Sequence, residues 1–195
     1  SSMYRSYLSE LRGRVVVCRA GNVIGGGDFS EARLIPDAVR AWMQKRPLEI
    51  RSPEATRPWQ HVLEPLSGYL NLALVLSESE RLHGEPFNFG PPAEQNQTVF
   101  ELVSEMSSHW DMVRWEIAGE ELDQRREANL LKLNCDKALS LLAWNAVWDF
   151  PTTVSQTAEW YKMFYERPNY TVQEYSTSQI SKYLRDAQRK GLAWA

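Results

Sequence analysis

The chain has 195 residues and a formal charge of −3, with 22 Lys and Arg against 25 Asp and Glu. With 43% hydrophobic residues it has the composition of a globular chain of one domain, or of one domain plus part of another, and not of a disordered chain. The slight negative charge argues against nucleic acid or an anionic membrane as partner, and no apolar run is long enough to span a bilayer. Two Cys and three His exclude a Cys/His zinc site and a disulfide framework, so we predict no metal and a reducing, cytoplasmic compartment.

The first predicted elements alternate between helix and strand. Residues 1–12 have the apolar spacing of the end of a helix, and the β-branched run at 15–18 predicts a strand covered on both faces. Glycines between 21 and 27 predict a loop. A helix is predicted over 35–43, a short strand over 48–50, and a second helix from Pro65. The apolar face of this second helix is predicted to contain Leu66, Tyr69, Leu70, Ala73 and Leu74.

The second half of the chain continues the alternation. A strand is predicted over 87–89, with Phe87 and Phe89 on the core side and Asn88 on the other. A capping box at 98–101 opens a helix, edge strands are predicted at 113–117 and 130–133, and a short helix at 138–142. A helix over 154–165 is predicted to be capped by Thr153 and Gln156, and another helix lies near 180–190.

These elements predict an α/β fold, because strands alternate with helices. Only two segments resemble the buried strands of a parallel sheet, which is too few for a complete doubly wound domain, so we expect the chain to be part of a larger fold. The eight Trp predict a core or a binding cleft built around indole rings.

Several motifs of nucleotide-dependent enzymes are absent from the sequence. The ten Gly contain no G-x-G-x-x-G or G-x-x-G-x-x-G fingerprint, there is no Walker A loop, and no Tyr stands four residues before a Lys. No Ser-His-Asp arrangement is indicated either. The sequence therefore assigns no catalytic residue to this chain.

Two stretches carry groups suited to a phosphorylated ligand. Asn22 follows the buried strand, at the edge of the sheet where α/β proteins bind ligands, although a tight turn with a structural Asn is the alternative. Arg57 offers a bidentate fork to phosphate, and Trp59 could stack on a base or pack below the Arg. The alternative is an Arg that pairs with Glu54 or Glu64 beside a core Trp.

Two further residues are weaker candidates. Arg33 precedes a helix start, where backbone amides favour an anion, although a solvated loop Arg is the stronger alternative. His61 by itself is more typical of a structural His than of an acid or base. Together these stretches predict a cleft with several Arg and amide groups, and therefore a phosphorylated or nucleotide ligand.

Four segments closely resemble the CDP-glucose 4,6-dehydratase family of extended short-chain dehydrogenase/reductases. They are residues 19–28, 33–37, 57–69 and 87–91, and the likeness continues at 127–128, 131–133, 143–144 and 174–175. The string Arg-Pro-Trp-Gln-His-Val-Leu-Glu-Pro at 57–65 is the most specific of them. The resemblance implies the C-terminal part of such an enzyme, with the last strands and helices of a Rossmann sheet and the small substrate-binding domain.

The resemblance also implies a division of the chain. Residues 1–30 would be the end of the catalytic helix, a late Rossmann strand and its loop. Residues 31–168 would be mainly the nucleotide-sugar-binding region, with a returning Rossmann strand near 87–90. Residues 169–195 would be a C-terminal tail with a short helix.

In this family, NAD accepts a hydride from the sugar and returns it as water is lost, which converts CDP-glucose to CDP-4-dehydro-6-deoxyglucose for deoxysugar and O-antigen-type polysaccharides. The family's Tyr-Lys pair and glycine fingerprint lie in its N-terminal half and do not occur here, so we expect no turnover by this chain alone. The resemblance further implies a homo-oligomer when the enzyme is complete. A non-catalytic nucleotide-sugar-binding or partner subunit, or a structural module, are the alternatives.

Residue roles follow from the same resemblance. Asn22 would contact the sugar diphosphate, Arg57 would bind the diphosphate, and Trp59 would shape the pocket beside Arg57. Glu127 would close over the nucleotide sugar, although Arg125 and Arg126 stand where the family has Pro-His. The remaining implied contacts are with the nucleotide, from Arg33, Leu34 and Ile35, and with the nicotinamide side of NAD, from Ala20 and Val23.

Overall fold

The computed structural model describes residues 14–92, 94–118, 133–167 and 171–195. The helices are α1 (Leu34–Met43), α2 (Leu63–Glu78), α3 (Val99–Ser107), α4 (Asp136–Leu142), α5 (Phe150–Glu166) and α6 (Val172–Arg189). The strands are β1 (Val17–Ala20), β2 (Asn22–Ile24), β3 (Leu48–Ile50), β4 (Thr56–Arg57), β5 (Trp59–His61), β6 (Pro86–Phe89), β7 (Gln97–Thr98) and β8 (Trp115–Ile117). None of these helices combines the length and the apolar character needed to cross a bilayer.

Parallel pairing dominates the described strands, as the α/β prediction requires. β1 pairs with β6, β2 with β5 and β3 with β8, all in parallel, whereas the short β4 and β7 are antiparallel. β1 and β2 follow one another with only Gly21 between them. The chain therefore passes from one parallel pair directly into the next at this point.

Indole rings fill much of the interior, which confirms the expectation of an indole-built core. The buried ones are Trp42, Trp59, Trp110, Trp144, Trp148 and Trp160. Each of these six N–H groups has a hydrogen-bond acceptor, as a buried indole requires. Trp42, for example, donates to the Arg114 carbonyl at 2.7 Å, and Trp110 donates to the Glu166 carboxylate at 2.7 Å.

Several predicted elements are confirmed. α1 begins with Pro36 in its first turn, β3 and β8 lie where strands were expected, and α4 covers the predicted short helix. β6 buries Phe87 and Phe89 while Asn88 faces the other way and donates to the Asn134 carbonyl. The capping box at 98–101 is present at the start of α3. The predicted helix end at 1–12 and residues 130–132 of the predicted edge strand lie outside the described residues.

The predicted face of α2 is wrong. Leu66, Leu70 and Leu74 are exposed, and the helix instead buries Leu72 and Leu76. Apolar residues occur on every side of α2, so their spacing does not identify the buried face. Close packing determines that face instead. A Cβ at position 68 would lie 2.2 Å from the Phe89 ring, so only glycine fits against this ring.

Three further boundaries differ from the prediction. The predicted loop at 21–27 contains β2. α5 begins at Phe150 rather than 154, and its cap is Asp149, which accepts from the Thr152 N–H, while Thr153 and Gln156 are buried within the helix. α6 begins at Val172 rather than near 180, behind a capping box made by Thr171 and Glu174.

Candidate functional site

A cavity of about 880 Å³ opens between β2, the start of α1, β3 and the β4–β5 segment. This volume lies in the range of small-molecule sites. Seven residues predicted to bind substrate or cofactor line it, from three separate stretches of the chain: Asn22, Val23, Arg33, Leu34, Ile35, Arg57 and Trp59.

The pairing of β2 with β5 sets two of these residues side by side. Asn22 is in register with Trp59, so Asn22 lies on a strand and not in a tight turn. Trp59 is only 5% exposed, and its indole N–H donates to the Gln97 carbonyl at 3.1 Å. The Trp59 ring therefore packs into the core and forms part of the cavity wall, which leaves little of its surface for stacking on a base.

Arg33 stands immediately before α1 and reaches back across the cavity rim. Its guanidinium donates to the Val23 carbonyl at 3.2 Å and pairs with the Asp28 carboxylate at 3.3 Å. Partial burial would raise the pKa of Asp28, but hydrogen bonds from Ser30 and the nearby charges of Arg33 and Arg40 outweigh burial and lower this pKa. Arg33 therefore remains about half exposed beside an ionised carboxylate.

The loop that carries Asp28 is held from two sides. Arg40 of α1 donates to the carbonyls of Phe29 and Ser30, each at 3.1 Å. The Tyr161 hydroxyl of α5 donates to the Asp28 carbonyl at 2.7 Å. These contacts fix the loop between β2 and α1, and with it the position of Arg33.

Arg57 occupies the end of β4, where β7 pairs with it. Its guanidinium donates to the Thr56 carbonyl at 2.8 Å. Glu64, one of the two carboxylates considered as its partner, is fully buried and accepts hydrogen bonds from the backbone N–H groups of Val147 and Trp148 at 2.9 and 2.8 Å. Glu64 is thus engaged in the interior of the protein and not at the cavity.

His61 is unsuited to acid or base chemistry. It is 1% exposed, its ring packs edge-on against Trp148, and its Nδ1 accepts from the Leu63 N–H at 3.3 Å. Burial lowers its pKa to about 3, so the ring is neutral near pH 7. This environment agrees with the prediction that His61 has a structural role and is not an acid or base.

One predicted site residue that the structure describes does not line the cavity. Ala20 pairs with Phe89 at the end of β1, whereas Val23, the other residue predicted to contact NAD, does reach the cavity. Glu127, together with Arg125 and Arg126, lies outside the described residues.

The sequence reasoning missed one wall of the cavity. Arg46, Glu49, Arg51 and Ser52, on and around β3, also line it. The signal was present, because β3 buries Leu48 and Ile50 and exposes the residues between and after them. An apolar and polar alternation of this kind indicates a half-buried strand with one solvent-facing side.

The lining is rich in groups that bind oxyanions and polar heterocycles. Guanidinium groups from Arg33, Arg46, Arg51 and Arg57 supply donors in fork geometry, and the Asn22 amide can donate and accept. The four guanidinium groups suit an anionic ligand, and the Asn22 amide suits hydroxyl or ring polar groups on it.

The fold is that of about half of an extended short-chain dehydrogenase/reductase. UDP-glucuronic acid 4-epimerase from Bacillus cereus, solved with UDP-glucuronic acid and NAD, superposes with a TM-score of 0.67 at 15% identity, over 84% of this chain and 50% of that one. dTDP-glucose 4,6-dehydratase from Bacillus anthracis, solved with NAD, gives a TM-score of 0.60 at 22% identity, over 85% and 48%. No protein-family model matches the chain.

Sequence identity points to a particular relative within this class of fold. The chain is 40% identical over 167 residues to CDP-glucose 4,6-dehydratase from Salmonella typhimurium, and it is a homologue of that protein. The match covers 85% of this chain and 45% of the relative, so the chain spans about half the length of the proteins it resembles.

Proposed function

We propose that this chain is the C-terminal, substrate-binding portion of a CDP-glucose 4,6-dehydratase. The observation that carries the proposal is the convergence of Asn22, Arg33 and Arg57 on one cavity, from three segments that match the resemblance. The ligand would be a CDP-sugar, and the reaction of the complete enzyme would yield CDP-4-dehydro-6-deoxyglucose. The 40% identity to a dehydratase supports this choice over the epimerases, whose likeness is one of fold alone.

The proposed roles follow from the chemistry of each side chain. Arg57 would bind the diphosphate through its guanidinium, and Arg33 would hold the nucleotide from the rim while Asp28 orients it. Asn22 would hydrogen-bond the sugar diphosphate. Leu34 and Ile35, at the first turn of α1, would form the apolar part of the nucleotide site.

The redox step would depend on a part of the enzyme beyond this chain. NAD, when bound, supplies the hydride acceptor, and Val23 is the residue of this chain placed to line its nicotinamide side. Because the Tyr-Lys pair and the glycine fingerprint are absent from the sequence, we expect the chain alone to bind a nucleotide without turning over CDP-glucose. Adding a separately produced half that carries both motifs should then be needed for activity.

A titration of the chain with CDP, followed by Trp fluorescence, tests the proposal, because Trp59 forms part of the cavity wall. We expect saturable binding that Arg57→Ala weakens by about 1.5–3 kcal/mol, the contribution of a charge-assisted hydrogen bond. Arg81→Ala, which removes an exposed guanidinium away from the cavity, serves as the matched control. The absence of any response at millimolar CDP would exclude a nucleotide site in this chain.

A further inference from the structure

The loop between β2 and α1, residues 25–33, lies between the cavity and a group of aromatic side chains on α5. Four of its residues line the cavity, namely Gly25, Asp28, Ala32 and Arg33. On the α5 side the loop backbone is pressed against Trp160. A Cβ at position 26 would lie 1.9 Å from the Trp160 ring, so only glycine fits there. Phe29, further along the loop, packs edge-on against Trp160 and Tyr161, with ring centroids 6.4 and 6.2 Å apart.

Asp28 connects α5 to the cavity through its two ends. Its backbone carbonyl accepts from the hydroxyl of Tyr161 at 2.7 Å, and Tyr161 is fully buried. Its carboxylate pairs with Arg33 at 3.3 Å. Burial raises the pKa of Tyr161, so the hydroxyl stays protonated and remains a donor at neutral pH. A buried side chain of α5 therefore holds the residue that holds Arg33.

The backbone immediately before Arg33 is strained. Ala32 has a φ of +57°, in the left-handed region that a residue with a Cβ seldom adopts. Such a conformation persists only where the surrounding contacts hold it in place, and it is common at ligand-binding sites. The hydrogen bond from Tyr161 lies just before Ala32 in the chain, and Arg40 of α1 holds the carbonyls of Phe29 and Ser30.

We propose that Tyr161 is a positioning residue for nucleotide binding, which acts through Asp28 to keep the Arg33 guanidinium at the cavity. Tyr161 is not among the described residues that line the cavity, so its effect on the ligand would pass through the loop. The inference rests on the proposed function, since it takes Arg33 as a contact of the nucleotide. It deepens that function by giving α5, which lies behind the site, a part in nucleotide affinity.

The test measures the affinity for CDP by titration calorimetry. Tyr161→Phe keeps the buried ring and removes only the hydroxyl, which leaves the Asp28 carbonyl without this donor. We expect the Kd for CDP to rise roughly threefold to tenfold, the range for the loss of one neutral hydrogen bond. Tyr183→Phe is the matched control, because it removes a buried hydroxyl that donates to Glu64. It should lower the melting temperature and leave the Kd unchanged.

A double-mutant cycle distinguishes positioning from a general weakening of the fold. In a chain that carries Arg33→Ala, Tyr161→Phe should change the Kd by less than about twofold, because the residue through which it acts is gone. In a chain that carries Arg57→Ala, on β4, the same change should still raise the Kd by roughly threefold to tenfold.

Arg40→Lys is a second variant that loosens the same loop from the α1 side. It keeps the positive charge but lacks the planar fork that reaches two carbonyls of the loop. We expect it to raise the Kd for CDP and to lose this effect when Arg33→Ala is present. If Tyr161→Phe shows no cooperative melting transition, Arg40→Lys decides the question by the same criteria.

The outcomes separate this inference from the proposed function. A Kd that Tyr161→Phe leaves unchanged, or raises equally with and without Arg33→Ala, would overturn the positioning role and leave nucleotide binding intact. Failure of the unaltered chain to bind CDP would overturn the proposed function and the positioning role together. A rise in the Kd that disappears with Arg33→Ala and persists with Arg57→Ala would establish the role.

Discussion

Two regions of this molecule differ in how completely they bury their apolar side chains. Around the cavity, α1, α3 and α5 enclose a core in which Trp42, Met106 and Tyr161 are each no more than 1% exposed. In the region of β1, β6 and α4, the long helix α2 buries one side and leaves the other in solvent. On that open side, Leu70 and Leu74 are 73% and 57% exposed.

The exposed leucines indicate where a further layer of protein would pack. Parallel strands are normally covered on both faces, and β1 and β6 form a two-stranded parallel sheet among the described residues, as β2 and β5 do. The leucine face, defined here as Leu66, Leu70 and Leu74 of α2, lies beside that sheet. Since the chain spans 45% of its dehydratase relative, we expect the rest of such a protein to pack on this region.

The link between the two regions gives the largest predicted effect. Glu64 of α2 is fully buried, and besides the N–H groups of Val147 and Trp148 it accepts from the Tyr183 hydroxyl of α6 at 2.8 Å. Glu64→Ala would leave two buried backbone N–H donors without an acceptor and the Tyr183 hydroxyl with only Ser67 Oγ, 3.0 Å away. We expect the free energy of unfolding to fall by about 3–5 kcal/mol, measured by denaturant titration.

The matched control for this substitution is Glu78→Ala, at an exposed position of the same helix. It should change stability by less than about 0.5 kcal/mol. Similar small losses for both variants would mean that the two regions are joined by other contacts and that Glu64 is replaceable.

How far the sequence could predict this arrangement depends on the range of the contacts. The capping box of Thr98 and the periodicity of α1 are local, and both were predicted. β2 and β5 have three residues each, too short for any pattern, so their pairing, which sets Asn22 beside Trp59, was not. The buried side of α2 depends on Gly68 meeting Phe89, a contact between distant residues.

The same reasoning explains the outcome for the site. Side-chain chemistry and the resemblance together identified Asn22, Arg33 and Arg57, and the structure places them on one cavity. They did not identify Arg51 or Glu49, because a charged residue on a short strand looks like ordinary surface until the cavity beside it is known. Helix starts set by side chains outside the apolar pattern, such as Asp149 at α5, were missed for a related reason.

His61 provides the second prediction and tests the boundary between the regions. Its pKa is lowered to about 3 by burial, compared with 6.5 in the unfolded chain. Below pH 6.5 the unfolded chain therefore binds a proton at His61, whereas the folded protein keeps this ring neutral. The folded state is thus most stable, as far as His61 is concerned, above pH 6.5, and it loses this stability as the pH falls. We expect the free energy of unfolding to fall by about 3 kcal/mol from pH 7 to pH 4 through this group.

His61→Gln isolates that contribution, because the difference between the variant and the unaltered protein cancels the other titrating groups. The difference in the free energy of unfolding between the unaltered protein and His61→Gln should change by about 3 kcal/mol from pH 7 to pH 4. This change should begin near pH 6.5. A difference that stays constant from pH 7 to pH 4 would show that His61 is accessible to protons in the folded protein. The two regions would then be less tightly joined at β5 than the structure indicates.

The smallest predicted effect on stability concerns the leucine face, and it separates the two sides of α2 directly. Leu70→Gln should change the free energy of unfolding by less than about 0.5 kcal/mol, because the side chain is already in solvent. Leu72→Ala, two residues away on the buried side, should lower the free energy of unfolding by about 2–5 kcal/mol.

The leucine face also favours association, so we expect the isolated chain to self-associate, and Leu70→Gln to reduce this self-association in sedimentation experiments. If the chain is monomeric at all concentrations and Leu70→Gln is strongly destabilising, α2 is covered within this chain, and the contrast between the two regions disappears.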